Sequence, residues 1–126
     1  MHYPMPHYPC EFEIPDSWLA ESGMLNFTCK EPAYCSSLDA VLVPLVDVEP
    51  PYRRVTHPKD WRGFDRARMV SILKGIVTGA EIEPVPLLEL PIFEFSPRPY
   101  RYRVLNGVHR FYASIVAGFE NLPGAI

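Results

Sequence analysis

"YRYRVLNGVHRFYASIVAGF", residues 100–119, holds the transition on which the fold turns. Its first part sets Tyr100, Tyr102 and Val104 against Arg101 and Arg103, the period of two that marks a half-buried strand. Its last part, "HRFYASIVAGF", reads as a helix with Gly118 placed to stop it. Between them stands Asn106-Gly107, where a strand gives way to a helix within a few residues. Glycine takes φ above zero without a Cβ penalty and lets backbone approach a ligand closely.

Working outward, "LPGAI" at the end predicts a short closing strand. Upstream, "GFDRARMVSILKGIVTGAEI" is the clearest helix in the chain. Met69, Ile72, Leu73 and Ile76 recur at the three-and-four spacing of one buried stripe. Asp65 suits its first turn and Gly79 its end. Arg68, Ser71 and Gly75 share a face beside that stripe. "IEPVPLLELPIFEFS" reads as a strand or edge strand, and Val41 to Val48 as a strand running into a turn at Pro50-Pro51. "DSWLAESGM" predicts one or two helical turns, capped by Asp16 or Ser17 and stopped by Gly23.

The order strand, helix, strand, strand, helix, strand gives an α+β class: a small mixed sheet with two main helices. Proline is the compositional outlier, 15 in 126 residues against about 5% on average. It fixes φ and removes a backbone donor, which confines helix to a few windows. Residues 1–17 interleave proline with Tyr3, Tyr8, Phe12, His2 and His7, so residues 1–40 are expected to be a proline- and aromatic-rich N-terminal arm packed on a body of residues 41–126. The arm is also the segment that offers itself to a protein partner. A metal site on its two imidazoles lacks ligands at the right spacing.

A hydrophobic fraction of 48% and a charged fraction of 21% are those of a globular domain large enough to bury a core. The net charge is −3, so no general basic field recruits nucleic acid, and strong nucleic-acid binding is not expected. No apolar run reaches the length of a membrane span, and no secretory signal is evident. The three cysteines, Cys10, Cys29 and Cys35, form no disulfide framework; reduced thiols in a cytoplasmic setting fit best.

The chemistry concentrates at the junction. The first turn of a helix carries unpaired N–H groups and a partial positive charge, which together favour an anion. Gly107 and Val108 place backbone amides there, Arg110 adds a fork of donors suited to phosphate, and His109 donates to the same anion or shuttles a proton. Asn106 caps the helix or holds the loop. The plain alternative is a glycine turn with exposed His109 and Arg110. The short span "PPYRRVTHPKDWRGFDRAR" after the first strand holds Arg53, Arg54, His57, Lys59, Arg62, Arg66 and Arg68. Arg53 or Arg54 completes the anion pocket if that turn folds beside Gly107; otherwise the loop is a solvated basic segment. Trp61 and Phe64 within it read as packing anchors. The scattered carboxylates form no acid–base pair, Ser114 lacks a nucleophile elbow, and no metal motif is present.

"YRVLNGVHRFYASIVAGFENLPGAI" resembles the strand, Gly-x-His/Arg-Arg turn and helix shared by sulfiredoxin and the N-terminal domain of ParB-type partition proteins. Gly118 and Leu122-Pro123 match the family's stop and closing strand. "LVPLVDVEPPYRRV" resembles its opening strand and turn, and "DRARMVSILKGIVTGAEIEPVPLLEL" its first helix and second strand. The resemblance spans about residues 41–126 and is nearer to sulfiredoxin. It implies a ParB/sulfiredoxin-like domain in which Asn106, Gly107, Val108, His109 and Arg110 hold the phosphates of ATP or another nucleotide. Arg68 and Ser71 fall on the family's basic and serine positions near the nucleotide. It further implies phosphotransfer or nucleotide hydrolysis with Mg²⁺, His109 and Arg110 being the catalytic candidates. Asp47 and Glu49 are metal-binding carboxylates only by location.

Two departures narrow the expectation. Sulfiredoxin carries its catalytic cysteine directly before the His-Arg pair, where this chain has Val108, and valine offers no nucleophile for sulfinic-acid reduction. A substitute thiol requires the arm to fold over the turn. The ParB pattern has a second arginine in place of His109, and DNA-binding helices downstream; DNA clamping is not expected of a chain ending at Ile126. The alternatives are a non-catalytic protein-interaction module on the same fold and a ParB-like nuclease.

Overall fold

The computed structural model describes residues 1–6, 11–51, 62–91 and 100–126. Among the described residues the α-helices and strands follow in order: β1 (His2–Pro4), β2 (Glu11–Glu13), α1 (Asp16–Ser22), β3 (Val41–Pro44), β4 (Val48–Glu49), α2 (Arg66–Thr78), β5 (Val85–Glu89), β6 (Tyr102–Val104), α3 (Val108–Ala117) and β7 (Asn121–Ala125). The class is α+β. β1 and β2 form an antiparallel ladder, and the other strands make one mixed sheet in the order β3-β7-β5-β6-β4. β7 runs antiparallel to β3 and parallel to β5, while β6 runs antiparallel to β5 and parallel to β4.

The expected strand from Val41 to Val48 is a correction: it breaks into β3, a single 3-10 turn at Leu45–Asp47, and β4. The break has a topological reason. β3 and β4 occupy opposite edges of a five-stranded sheet, which flat would lie ~19 Å apart at ~4.8 Å per strand. From Pro44 to Val48 the chain reaches at most ~14 Å. The sheet therefore curls, and the turn bridges its two edges. Register accommodates the prolines: Leu45 N–H donates to Glu120 O, continuing the pairs Val43↔Leu122 and Val41↔Gly124. Pro44 thus falls at a position that needs no donor to β7.

Both main helices form where the apolar spacing predicts. α2 is capped by Asp65, whose carboxylate accepts from Arg68 N–H, and ends at Gly79 with φ 74°. α3 ends at Gly118 with φ 89°. α1 stops at Gly23 as expected, but its N-cap is Pro15 with no side-chain cap, so neither Asp16 nor Ser17 caps it. Asp16 instead accepts from the Met1 ammonium.

The helices, the strands and the N-terminal residues share one core. Phe64, Phe111, Ile14, Leu19, Met69, Leu73, Leu122, Val48 and Val85 are fully buried. Phe12 of β2 stands edge-on to Tyr112 at 4.9 Å and to Phe64 at 6.2 Å, and Phe64 meets Tyr112 at 5.2 Å. Each such ring contributes roughly 1.5–3 kcal/mol through burial, with T-shaped pairing adding to it. Phe64 is the packing anchor the sequence suggested; Trp61 lies outside the described residues. Among the described residues no helix is long and apolar enough to cross a membrane.

Candidate functional site

Gly107 is the N-cap of α3, with φ 116° and ψ 39°, a conformation that L side chains rarely adopt. A side chain there would also displace the Arg110 guanidinium. A Cβ on Gly107 would stand 2.9 Å from Arg110 Nη2 and 3.0 Å from its Nε. The first intrahelical bond is Phe111 N–H to Gly107 O at 3.0 Å, so the amides of Val108, His109 and Arg110 belong to the unpaired first turn. Asn106 is exposed and α3 has no side-chain cap; the expectation that Asn106 caps the helix is corrected. Val108 is half-buried and packs on the core.

The guanidinium of Arg110 is engaged by the fold through one of its three nitrogens. Nη1 donates to two carbonyls, Glu83 O at 3.1 Å and Pro84 O at 2.8 Å, in the segment leading into β5. The side chain folds back over Gly107 and ties α3 to the sheet. Glu83 O accepts a second bond from Tyr34 Oη at 2.8 Å. Burial pushes the Tyr34 phenol far above its ordinary value, against a smaller opposite pull from the Arg110 charge. The segment around residues 33–36 is held nearby, with Ile82 N–H donating to Cys35 O and Ser36 Oγ to Ile82 O.

His109 also takes a role that the sequence reading did not assign. Its Nε2 accepts from the backbone N–H of Asp65 at 2.8 Å, so that nitrogen carries a lone pair and does not donate to a ligand. The ring rests edge-on to Phe64 at 5.9 Å. Asp65 Oδ1 in turn accepts from Arg68 N–H at 3.0 Å. That bond is the largest cause holding the Asp65 carboxyl below its ordinary value, with the charges of His109 and Arg68 adding to it and desolvation opposing. The N-termini of α2 and α3 therefore meet through Asp65 and His109.

Arg68 and Ser71 are exposed on α2, one and two turns beyond the Asp65 cap, and the described structure assigns neither side chain a hydrogen bond or ion pair. Gly75, on the same face, is closed off by Ile82, whose Cδ1 would lie 3.4 Å from an added Cβ. Arg53 and Arg54 lie outside the described residues. Glu49, paired with Arg103, alternates with buried Val48 along β4 and so lies on the other face of that strand. Arg103 Nη2 stands 3.6 Å from Glu49 Oε2. Asp47 sits in the edge-bridging turn, where its carbonyl accepts from Arg101 N–H. No group of three or more His, Cys, Asp or Glu that could hold a metal occurs among the described residues.

A thiol replacing the missing nucleophile is not supplied by Cys29. Its Sγ contacts Gly118 O at 3.5 Å, at the far end of α3, ~16 Å of helix away from Gly107. Cys10 lies outside the described residues. Two clefts, of about 520 Å³ beside Pro44, Ile115 and Phe119 and about 350 Å³ beside Tyr34, Cys35 and Val77, do not include residues 106–110, Arg68 or Ser71.

Comparison with protein-family models, with curated proteins and with solved structures finds no match to this chain.

The sequence reading missed Asp65 as the partner of His109, although it placed Asp65 at the start of α2. It also missed Tyr34 and the carbonyls of Glu83 and Pro84. Carbonyls carry no residue signature, and Tyr34 lies in a stretch with no periodicity, so no sequence signal pointed to them.

Proposed function

We propose that the chain is a phosphate- or nucleotide-binding domain of the ParB/sulfiredoxin type, lacking sulfinic-acid reductase chemistry. The observation that carries the reading is the Asp65 N–H to His109 Nε2 bond, which brings the positive ends of two helices together. Around that point Val108 and Arg110 supply amides, and Arg68 and Ser71 supply side chains that the fold does not otherwise use. Arg110 shapes the loop over Gly107, its Nη1 being spent on carbonyls. Val108 in place of a cysteine removes the thiol chemistry. The reading is binding rather than turnover: the carboxylate at the junction, Asp65, is engaged as a helix cap. Mg²⁺ enters as a companion of a bound nucleotide, and the reduced cysteines favour a cytoplasmic location.

The test is thermal unfolding in the presence of pyrophosphate, ATP, CTP and GTP, each with and without Mg²⁺. Binding raises Tm, by the equivalent of ~2.7 kcal/mol at a hundred times Kd. Arg68→Ala and Ser71→Ala should abolish or reduce that rise while leaving the unliganded Tm in place. No rise with any of these compounds refutes the reading and leaves the fold as a protein-interaction module. For that alternative, the arm offers less than its sequence suggests, since Met5 and Phe12 are buried in the core.

A further inference from the structure

The two ends of α3 differ in chemistry, and a cleft that the phosphate reading does not use lies at the end away from Gly107. Its volume of about 520 Å³ is in the range of small-molecule sites. The walls are apolar: Pro6 and Pro44, Leu45 and Val46 of the edge-bridging turn, Ile115 of α3, and Phe119. Glu120 and Asn121 bring polar side chains, and Glu120 is the one charged residue among the described residues that line the cleft. Glu120 is exposed, and among the described residues no cation is paired with it.

Hydrogen-bonding capacity decides which ligand fits. Pro6 and Pro44 have no N–H to offer. Leu45 N–H donates to Glu120 O at 2.9 Å, Gly118 N–H to Ile115 O at 3.1 Å, Phe119 N–H to Ser114 O at 3.1 Å and Asn121 N–H to Pro32 O at 3.0 Å. The backbone of the lining therefore has few donors left for an anion. Acceptors remain in the Glu120 carboxylate and the Asn121 amide oxygen. α3 ends at Ala117, so the negative end of its dipole lies at this cleft too. We propose that the cleft binds a small organic cation with an aliphatic body, of the class of primary alkylammonium ions. The ammonium donates to Glu120 and Asn121, and the chain lies against Val46, Ile115 and Phe119. Each methylene taken out of water should tighten binding about fourfold. The ion pair with Glu120 adds less, up to about fivefold, because solvent screens it. The cleft is ~16 Å of helix from Gly107, so its failure and that of the phosphate reading are separate results.

The experiment is an NMR titration of the full chain at neutral pH with methylammonium, butylammonium and hexylammonium, and with hexanol and hexanoate. The backbone amides of Val46, Ile115, Gly118 and Asn121 should shift and saturate with hexylammonium. Affinity should rise roughly tenfold from butylammonium to hexylammonium, and methylammonium should give no saturable shift. Hexanoate should bind at least about fivefold more weakly than hexylammonium. Glu120→Gln should bring hexylammonium to within about twofold of hexanol, since the charge pairing is gone and the walls are unchanged. Val46→Trp, a filling change at a position 40% exposed, should remove the saturation. A lysine capped at both ends carries the same ammonium on a peptide, and should bind no more tightly than butylammonium. Tighter binding of capped lysine than of hexylammonium would give the cleft to a protein partner and overturn the small-molecule assignment. No saturable shift at these amides, hexanoate binding as well as hexylammonium, or no dependence on chain length overturns the site itself. The wild-type series decides the matter even if a variant fails to fold.

Discussion

Replacing Gly107 by alanine tests the central geometry of the junction. Two costs add. An L side chain in the left-handed region loses roughly 1–2 kcal/mol, and φ 116° lies beyond the comfortable part of that region. The new Cβ would also stand 2.9 Å from Arg110 Nη2 and 3.1 Å from Cζ, so the guanidinium must withdraw. Withdrawal weakens two charge-assisted bonds to Glu83 O and Pro84 O, a class contributing about 1.5–3 kcal/mol each when intact. With partial retention, the expected loss is ~2–4 kcal/mol in urea unfolding, or roughly 8–16 °C in Tm for a chain of this size. The diagnostic is a double-mutant cycle. Once Arg110→Ala has removed the guanidinium, Gly107→Ala meets no side chain, and the double variant should lose at least ~1 kcal/mol less than the sum of the singles. Strict additivity, or a loss below ~0.5 kcal/mol for Gly107→Ala alone, refutes both the clasp and the strain argument.

Other perturbations probe the rest of the framework. Arg110→Lys should destabilise less than Arg110→Ala in urea unfolding, because the single nitrogen Nη1 makes both bonds and an ammonium likewise offers several N–H donors from one nitrogen. Gly124→Ala should cost about 1–3 kcal/mol by overpacking, since its Cβ would lie 2.6 Å from Leu87 Cδ1; a Leu87→Val background should recover part of that loss. Tyr34 holds its proton more tightly folded than unfolded, so its contribution to stability is full below the ordinary phenol range and is lost as pH rises through the folded value. Tyr34→Phe should flatten that alkaline limb and remove the last-titrating phenol from an ultraviolet titration. Asp65 has the opposite sign: its carboxyl is depressed, so its contribution is full above the ordinary carboxylate value and disappears as acid reaches the folded value. Asp65→Asn should remove that acid dependence from unfolding curves recorded below about pH 4.

Local chemistry made much of this protein legible before any coordinates. The apolar spacing of Met69, Ile72, Leu73 and Ile76 marks α2, and Gly79 and Gly118 end the helices because a left-handed residue closes a helix cheaply only without a Cβ. The alternation of Tyr102 and Val104 against Arg101 and Arg103 marks β6. Gly107 announces the junction for the same reason: its backbone conformation excludes other residues. Periodicity and glycine are local quantities, readable wherever neighbours along the chain are enough.

What those residues touch was a different matter, and only the tertiary structure decided it. Val41 to Val48 reads as one strand, yet sheet closure sends its two halves to opposite edges. Arg110 looks like an anion fork, yet the carbonyls of Glu83 and Pro84, 27 and 26 positions away in sequence, engage one of its nitrogens. His109 looks like a donor, yet the amide of Asp65, 44 positions away, makes it an acceptor. A side chain declares its hydrogen-bonding capacity in the sequence; which partner uses that capacity depends on packing between elements that the chain itself keeps far apart.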